Sequence, residues 1–378
     1  ETIERNKTGA HYPVTYTVTY DMSESMESII EQSGGEAEYV LTIDQDVRLT
    51  GNPGSFNGES IQVIYTLPRS EFKVGDFLHA SAKLRITVGQ HDYIIPSNVT
   101  KTQKMFYGCS SLNKLTLPRK VKTEKLESMF SMFKGCSSLT ALDLSGWNLN
   151  NVIDMSGLFQ YCSSLTSLKL PKVLDTKKIQ SMTSMFSGCS ALTSIDLSGW
   201  NVENVTEMGD LFYDCSNLKV LNLSGWTPKS LTKIYRMFLN CTSLENINLS
   251  GWNLENMTEI QYMFSGCTSL KTVDLSNWKT PKLSVLGRLI NGCGSLTYAN
   301  LSGWDVSSLY QIDVYPFSGC VNLVTLDLSG WNLDNTIVDR RLFENCNSLK
   351  TVRMVGCSQT TVDKIKKVLP SGATVVTK

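Results

Sequence analysis

Met182-Thr-Ser-Met185-Phe186-Ser-Gly-Cys189-Ser-Ala-Leu192-Thr-Ser-Ile195-Asp196-Leu197-Ser-Gly-Trp200-Asn-Val-Glu-Asn-Val205-Thr-Glu-Met208 is one copy of a unit that fills most of the chain. Its cysteine recurs at 109, 136, 162, 189, 215, 241, 267, 293, 320 and 346, always 26 or 27 residues apart. Self-similarity at a fixed period of this length means that one supersecondary unit is stacked many times.

Reading outward from the cysteine, each unit continues Leu-x-x-φ-x-φ, where φ is apolar, as in Leu139, Leu142 and Leu144 or Leu244, Ile247 and Leu249. The alternating part predicts a short strand with one buried face. Ser-Gly-Trp or a close variant follows. All seven tryptophans (Trp147, Trp200, Trp226, Trp252, Trp278, Trp304 and Trp331) stand three residues past the last apolar strand residue. The leucine-rich-repeat pattern has Asn or Cys there; an indole N–H can satisfy backbone in the same turn while its ring fills the core. Cys357 holds this place in the last unit, which accounts for the eleventh cysteine. Lys120 and Val173 hold it in two early units that read Leu117-Pro118 and Leu170-Pro171, so those coils are expected to be irregular.

The second half of the unit reads φ-x-x-φ-x-x-φ-Phe-x-x-Cys, as in Val205, Met208, Leu211, Phe212 and Cys215. Spacings of three and four predict one face of a short helix. Phe106, Phe133, Phe159, Phe186, Phe212, Phe238, Phe264, Phe317 and Phe343 occupy the Phe position, and Ile290 fills the tenth. Gly, Asn or Asp precedes the cysteine everywhere except at Tyr161. Such residues accept the left-handed backbone that ends a helix. The expected coil is strand, turn, short convex helix, turn, and the fold class is an α/β leucine-rich-repeat solenoid of about ten coils. One coil cannot bury its own apolar residues, so each is covered by its neighbours. Ten strands about 4.8 Å apart make a sheet about 45 Å wide.

The solenoid is read as residues 97–357, because Asn98-Val99-Thr100 through Cys109 repeats the spacing of Asn204-Val205-Thr206 through Cys215. Residues 1–96 follow another grammar. Alternation at 14–20, 39–43, 61–67, 83–88 and 93–95, with a turn at Gly89-Gln-His-Asp92, predicts a small β-rich, sandwich-like domain that also caps the solenoid. A short helix is expected at 22–31. Residues 358–378 read as a C-terminal cap. It has an amphipathic helix carrying Val362, Ile365, Val368 and Leu369, a stop at Pro370-Ser-Gly372, and a strand over 373–376.

The bulk composition excludes several function classes. The 378 residues carry 35 basic and 35 acidic side chains, a formal net charge of +0. With 19% charged residues there is no basic field for nucleic acid. No apolar run approaches the roughly 20 residues of a membrane helix. An odd number of cysteines without a Cys-x-x-Cys pair argues against a complete disulfide framework, zinc or thioredoxin-like chemistry. The ladder cysteines are expected to be small core residues. The chain opens Glu1-Thr2-Ile3, as expected of a processed chain with a leader or lipid anchor upstream.

Units of the form Met-Phe-x-Gly-Cys-Ser-Ser-Leu-Thr-x-Leu-Asp-Leu-Ser-Gly-Trp-Asn-x-x-Asn-Val-Thr-x-Met, clearest at 129–155 and 182–208, resemble the repeat of the BspA-like bacterial surface proteins. The resemblance covers about residues 97–357. It implies a cell-surface or secreted bacterial protein, often an adhesin or a binder of host matrix. It carries over no catalytic or binding residue, since that repeat consensus is structural.

The concave strand face is the candidate binding site. One outward row holds Asp143, Lys169, Asp196, Asn222, Asn248, Asp274, Asn300, Asp327 and Arg353; Tyr298 stands in the row beside it, among Ala141, Ser167, Ser194, Val220, Asn246, Thr272, Thr325 and Thr351. Solenoids bind extended partners on such faces. Against this stands a plain solvated face, since hot spots favour Trp, Tyr and Arg and only Tyr298 and Arg353 qualify. Calcium on the acidic rungs is disfavoured by the lack of an Asp-x-Asp loop. An exposed tryptophan platform for glycans is the weaker reading of the indoles. Asn-x-Ser/Thr at Asn204, Asn222, Asn240, Asn248, Asn256 and Asn300 is repeat consensus in a bacterial chain.

No enzyme is expected. The three histidines, His11, His79 and His91, lie outside the repeats, and there is no metalloprotease, nucleophile-elbow or phosphate-loop motif. No cofactor or metal is implied. The expectation is a surface or secreted binding protein for an extracellular protein or glycan, with no nucleic-acid partner and no membrane span. The alternative is a structural spacer that displays the N-terminal domain.

Overall fold

The computed structural model describes residues 100–117, 123–171, 176–249, 251–276, 278–312 and 315–378, together with the backbone of six strands before them. Those strands are β1 (Thr2–Arg5), β2 (Val14–Thr17), β3 (Glu38–Ile43), β4 (Ile61–Thr66), β5 (Lys83–Val88) and β6 (His91–Pro96). They pair antiparallel as β1/β2, β3/β4 and β5/β6. The expected helix at 22–31 and the irregular positions Lys120 and Val173 lie outside the described residues.

The solenoid is wound from two parallel ladders. Ladder A contains β7 (Leu115–Thr116), β8 (Ala141–Asp143), β9 (Ser167–Lys169), β10 (Ser194–Asp196), β11 (Val220–Asn222), β14 (Thr272–Asp274), β16 (Tyr298–Asn300), β18 (Thr325–Asp327), β20 (Thr351–Arg353) and β21 (Thr374–Val376). Ladder B begins with single bridges linking Lys101, Ser128, Asp154, Ser181, Glu207 and Lys233 in turn. It continues as β12 (Lys233–Tyr235), β13 (Glu259–Gln261), β15 (Val285–Gly287), β17 (Gln311–Ile312) and β19 (Ile337–Val338). Pairing is in register at the repeat period, for example Ile234 with Ile260 and Val273 with Ala299. Strand β5 pairs antiparallel with β7 through Thr87 with Thr116 and Val88 with Leu115, which ties the β5/β6 hairpin to the first coil.

The short helices expected in the second half of each coil are absent from the described coils, and ladder B takes their place. Two left-handed residues four apart explain this. Asp210 and Asp214 both have φ near 56°, and the same pair of positions is left-handed at Arg236 and Asn240 and at Tyr262 and Gly266. A right-handed helix cannot pass through such residues. Between the bends the backbone bonds across coils instead: Phe133 N–H donates to Leu158 O at 2.9 Å and Gly135 N–H to Gln160 O at 2.7 Å. The three-and-four spacing is therefore the signature of inward side chains on a bent strand. The one α-helix among the described residues is α1 (Gln359–Lys366), N-capped by Ser358, whose hydroxyl accepts the Thr361 N–H at 3.1 Å.

Parallel, in-register stacking places like side chains one strand spacing apart, so the core is a set of internal ladders. Rings from Phe106 to Phe264 stack at 5.3–5.8 Å between centroids. Trp226, Trp252, Trp278, Trp304 and Trp331 stack at 5.3–6.4 Å. These distances exceed the strand spacing because offset stacking slides each ring over the next. All seven indoles are buried. Four of their N–H groups reach one coil back to the carbonyl of the leucine three residues before the preceding tryptophan, not to their own turn: Trp226 Nε1 donates to Leu197 O at 2.9 Å and Trp304 Nε1 to Leu275 O at 2.7 Å. Nine cysteines are buried, Cys109 is exposed and Cys357 is intermediate, and all eleven are free thiols. At the row before the cysteine, the Tyr161 ring lies over Gly188, where a Cβ would stand 2.5 Å from it and φ is 73°.

Candidate functional site

The alternation of ladder A turns every second side chain outward, and this places the sequence-predicted residues on one face. The register pairs Asp143 with Lys169, Asp196 with Asn222, Asp274 with Asn300, Asn300 with Asp327, and Asp327 with Arg353. Asn248 stands in the same row, in a coil whose 244–249 segment forms no strand. These side chains also hold the corner that follows the strand. Oδ1 of Asp143, Asp196, Asn222, Asp274, Asn300 and Asp327 each accepts the N–H of the serine two residues on, at 2.9–3.1 Å. This is the local Asx turn that makes Asp and Asn natural at the position. The row is thus partly architectural, and these turn bonds run within a coil.

At the C-terminal end the face changes character. Arg353 Nε donates to Asp327 Oδ2 at 3.0 Å, and Asp327 is 8% exposed. Tyr298 stands in β16 between Thr272 and Thr325 and is half-buried. Desolvation, and then the negative charges of Asp327 and Asp274, raise its phenol pKa. A phenol, a guanidinium and two carboxylates therefore share one patch. Near the other end, Lys169 approaches Asp143 only to 3.9 Å across an exposed pair.

A second row of polar side chains crosses the solenoid at the left-handed bend of ladder B, and the strand-face reading missed it. Counting two residues back from each Phe position gives Asp210, Arg236, Tyr262, Arg288, Tyr315 and Arg341. Arg236 Nη2 donates to Asp210 Oδ2 at 2.9 Å; its Nε lies 2.7 Å from Oδ1 as an ion-pair contact. The Arg236 guanidinium also lies 4.4 Å from the Tyr235 ring centroid and 5.5 Å from that of Tyr213. Tyr235 meets Tyr262 edge-on at 5.7 Å. Arg288 is held between Tyr262 at 5.2 Å and Tyr315 at 5.6 Å. Arg341 lies 4.9 Å from Tyr315, donates to its hydroxyl at 2.9 Å, and grips Asp339 through Nε and Nη2, each at 3.0 Å. That grip holds the Asp339 carboxyl down at about 2. The sequence signal was available as Arg and Tyr recurring at one position of the period, inside a segment read as an outward helix face.

Burial pushes the Cys162, Cys215 and Cys293 thiols up to about 12, so they are poor nucleophiles there. Among the described residues, no three His, Cys, Asp or Glu side chains are grouped to hold a metal ion. No described helix is long and apolar enough to cross a membrane.

The repeats match a known family, described as "Mycoplasma protein of unknown function, DUF285", over residues 79–171, 168–273 and 266–368. The chain belongs to the DUF285 family. No curated protein matches this DUF285 chain. Among solved structures it is similar to a leucine-rich-repeat protein of T. pallidum, at 21% identity over 52% of this chain and 80% of that one, with a TM-score of 0.33. A leucine-rich cell-surface protein of Faecalibacterium prausnitzii is 15% identical over 65% and 74% of the two chains, with a TM-score of 0.27. A leucine-rich-repeat protein of Leptospira interrogans is 16% identical over 68% and 67%, with a TM-score of 0.27. The solenoid assignment of this DUF285 chain rests on its own ladders and period.

Proposed function

We propose that the protein is a binding protein of a bacterial cell surface or secreted fraction, which engages an extracellular protein or glycan through the outward face of ladder A. The BspA-like character of the repeat supports the location and a role in adhesion. The observation that carries the reading is the patch of Tyr298, Asp274, Asp327 and Arg353. There a half-buried phenol and an ion-paired guanidinium stand on a rigid, in-register sheet. Tyrosine and arginine on a preorganised scaffold are the residues that contribute most to recognition.

The test is capture of extracellular-matrix proteins and of a host-glycan array by the full chain, beside a variant with Tyr298→Ala and Arg353→Gln. The reading expects saturable capture that falls at least tenfold in the variant. Capture unchanged by the substitutions moves recognition off this face. Absence of capture leaves the solenoid as a spacer that displays the N-terminal segment.

A further inference from the structure

One outward carboxylate on ladder A has no cation on either neighbouring rung. The geometry points to Asp274, beside the Tyr298 ring, as the seat for one arginine side chain of a polypeptide partner laid across this face. This role rests on the proposed use of ladder A and names the chemistry of its partner.

Charge is the first observation. Two acids of the row have a base on the next rung: Asp143 faces Lys169, and Asp327 faces Arg353. Asp274 has an amide on both sides. Asn248 stands one period before it, and Asn300 is paired with it in register. Both amides are among the described residues, and within that set Asp274 makes no ion pair. Lys271, three residues earlier, is engaged by Glu245. Asp274 is exposed, and its Oδ1 accepts the Ser276 N–H at 3.0 Å. That turn bond occupies one oxygen and leaves Oδ2 to a donor from outside. Asp274 and Asp327 thus set two carboxylates against the one guanidinium of Arg353, and a single added cation neutralises the patch.

The ring is the second observation. Tyr298 pairs in register with Thr272, and Asn300 with Asp274, so the phenol and Asp274 are diagonal neighbours on adjacent strands. Strand spacing and rise put that diagonal at about 8 Å, which one arginine side chain spans. The flanking residues in the phenol's own row are Thr272, Thr325 and Thr351, so the ring is the largest side chain there. Burial, then the charges of Asp327 and Asp274, raise the phenol pKa, so the ring stays neutral beside the carboxylate. A guanidinium uses both groups at once: its fork takes a carboxylate in bidentate fashion and its plane stacks on an aromatic ring. The fold makes such a contact nearby, where Arg353 Nε donates to Asp327 Oδ2 at 3.0 Å.

The sign of the charge selects among partners. Sialylated, uronic or sulfated glycans add negative charge, and neutral sugars bring none to offset Asp274. A polypeptide brings arginine, and a row of threonines on an in-register sheet suits an extended segment.

The probe is the capped pentapeptide acetyl-Gly-Thr-Arg-Thr-Gly-amide, with its citrulline analogue and sialyllactose as comparators. Citrulline keeps the planar shape and removes the charge. Each is titrated into the full chain with isotope-labelled tyrosine rings, and the Tyr298 signal, assigned through Tyr298→Phe, is followed by NMR. The expected result is a saturable Tyr298 shift with the arginine peptide that weakens with added salt. Affinity should be at least tenfold lower for the citrulline analogue, and at least tenfold lower in Asp274→Asn. That substitution keeps the turn, because Asn222 and Asn300 accept the equivalent serine N–H at 3.1 Å in their own coils. Asp339→Asn, on ladder B, leaves the titration unchanged. Equal binding of the citrulline analogue, undiminished binding in Asp274→Asn, no saturable shift, or tighter binding of sialyllactose would each overturn the arginine seat. In the matrix-capture assay, capture that survives Tyr298→Ala with Arg353→Gln moves recognition off ladder A. Capture lost there but kept in Asp274→Asn retains the face and removes the arginine seat.

Discussion

The thiol of Cys241 donates to the carbonyl oxygen of Phe212 at 3.1 Å, one coil back, and the same bond recurs from Cys136 on Phe106 to Cys346 on Phe317. The ladder of cysteines is a ladder of buried donors, each serving a carbonyl where the chain bends. Desolvation raises Cys241 well above the ordinary thiol range. Thiol reagents should therefore separate two populations. In the native protein at pH 8 only Cys109 and Cys357 are accessible, and both are slowed because desolvation raises their thiol pKa. The other nine should react only after denaturation. Fast labelling of four or more thiols in the folded chain would contradict the buried ladder. Cys241→Ala should cost about 1 kcal/mol in urea unfolding, the worth of one buried hydrogen bond.

The tryptophan ladder allows a finer comparison. Trp252 stacks between Trp226 at 6.4 Å and Trp278 at 5.8 Å, yet its Nε1 is buried with no acceptor, in the coil whose strand segment is missing. Trp304 stacks similarly, but its Nε1 donates to Leu275 O at 2.7 Å. Trp252→Ala should cost about 3–5 kcal/mol, as for other large core truncations. The phenylalanine variants should part company. Trp304→Phe loses a buried hydrogen bond and should cost about 1 kcal/mol more than Trp252→Phe, which loses none. Denaturant midpoints of the two variants check this; equal costs would show that the indole N–H contributes nothing.

How far the sequence could be read follows from what each residue reports. The period of the cysteines and the alternation of Leu142, Leu144 and their equivalents fixed the ladder A strands, because burial of every second side chain has no other common cause. The row before the cysteine was also legible: Gly135, Asp214 and Asn240 are left-handed, and so is Tyr161. The helix expectation failed because Arg236, Tyr262 and Arg288, at the other bend, are not residues whose type announces positive φ. Cross-coil bonds hold the chain there: Arg236 N–H donates to Gln261 O at 3.0 Å and Phe238 N–H to Met263 O at 2.9 Å. That error hid the arginine-tyrosine strip, since an outward helix face would scatter side chains that ladder B holds in line. The Asp/Asn row was placed correctly on one face, but its tie to the Ser-Gly-Trp corner could have been found from the Asp-x-Ser spacing alone.

Asp339 gives the strip a pH signature. Its carboxylate is bonded by the Arg341 side chain and backbone, and its pKa falls to about 2. An unfolded aspartate titrates near 3.9. A folded-state pKa below the unfolded one adds stability that is fully present above the unfolded value and is lost as pH falls through the folded one. The melting-temperature difference between the native chain and Asp339→Asn should thus be constant above about pH 5. It should shrink between about pH 4 and 2, and vanish below. The pair is surface-lying, with 39% and 26% of the two side chains exposed, so added salt should reduce the difference as well. A difference that persists at pH 2 would assign the effect to packing instead of charge.

A single ammonium group ties α1 to the coil before it. Lys364 Nζ, in the last turn of α1, donates to Leu333 O at 2.9 Å, Asp334 O at 2.7 Å and Thr336 O at 3.0 Å. In an inner coil such carbonyls find donors in the next repeat: Asn256 Nδ2 donates to Lys229 O at 3.0 Å. At the end of the array no further repeat exists among the described residues, and Lys364 supplies three donors from one side chain. Lys364→Met keeps the apolar stem and removes all three bonds. It should destabilise by about 1.5 kcal/mol, at the lower end for hydrogen bonds to a charged group, since these carbonyls are partly open to water. In a one-dimensional array the loss should stay local. Amide exchange should quicken at Ile337, Leu328 and Met354, which bond in the last coils, while Phe133 and Gly135 near the other end keep their protection. Uniform acceleration along the whole chain would mean that the solenoid unfolds as one unit and that the Lys364 bonds govern global stability.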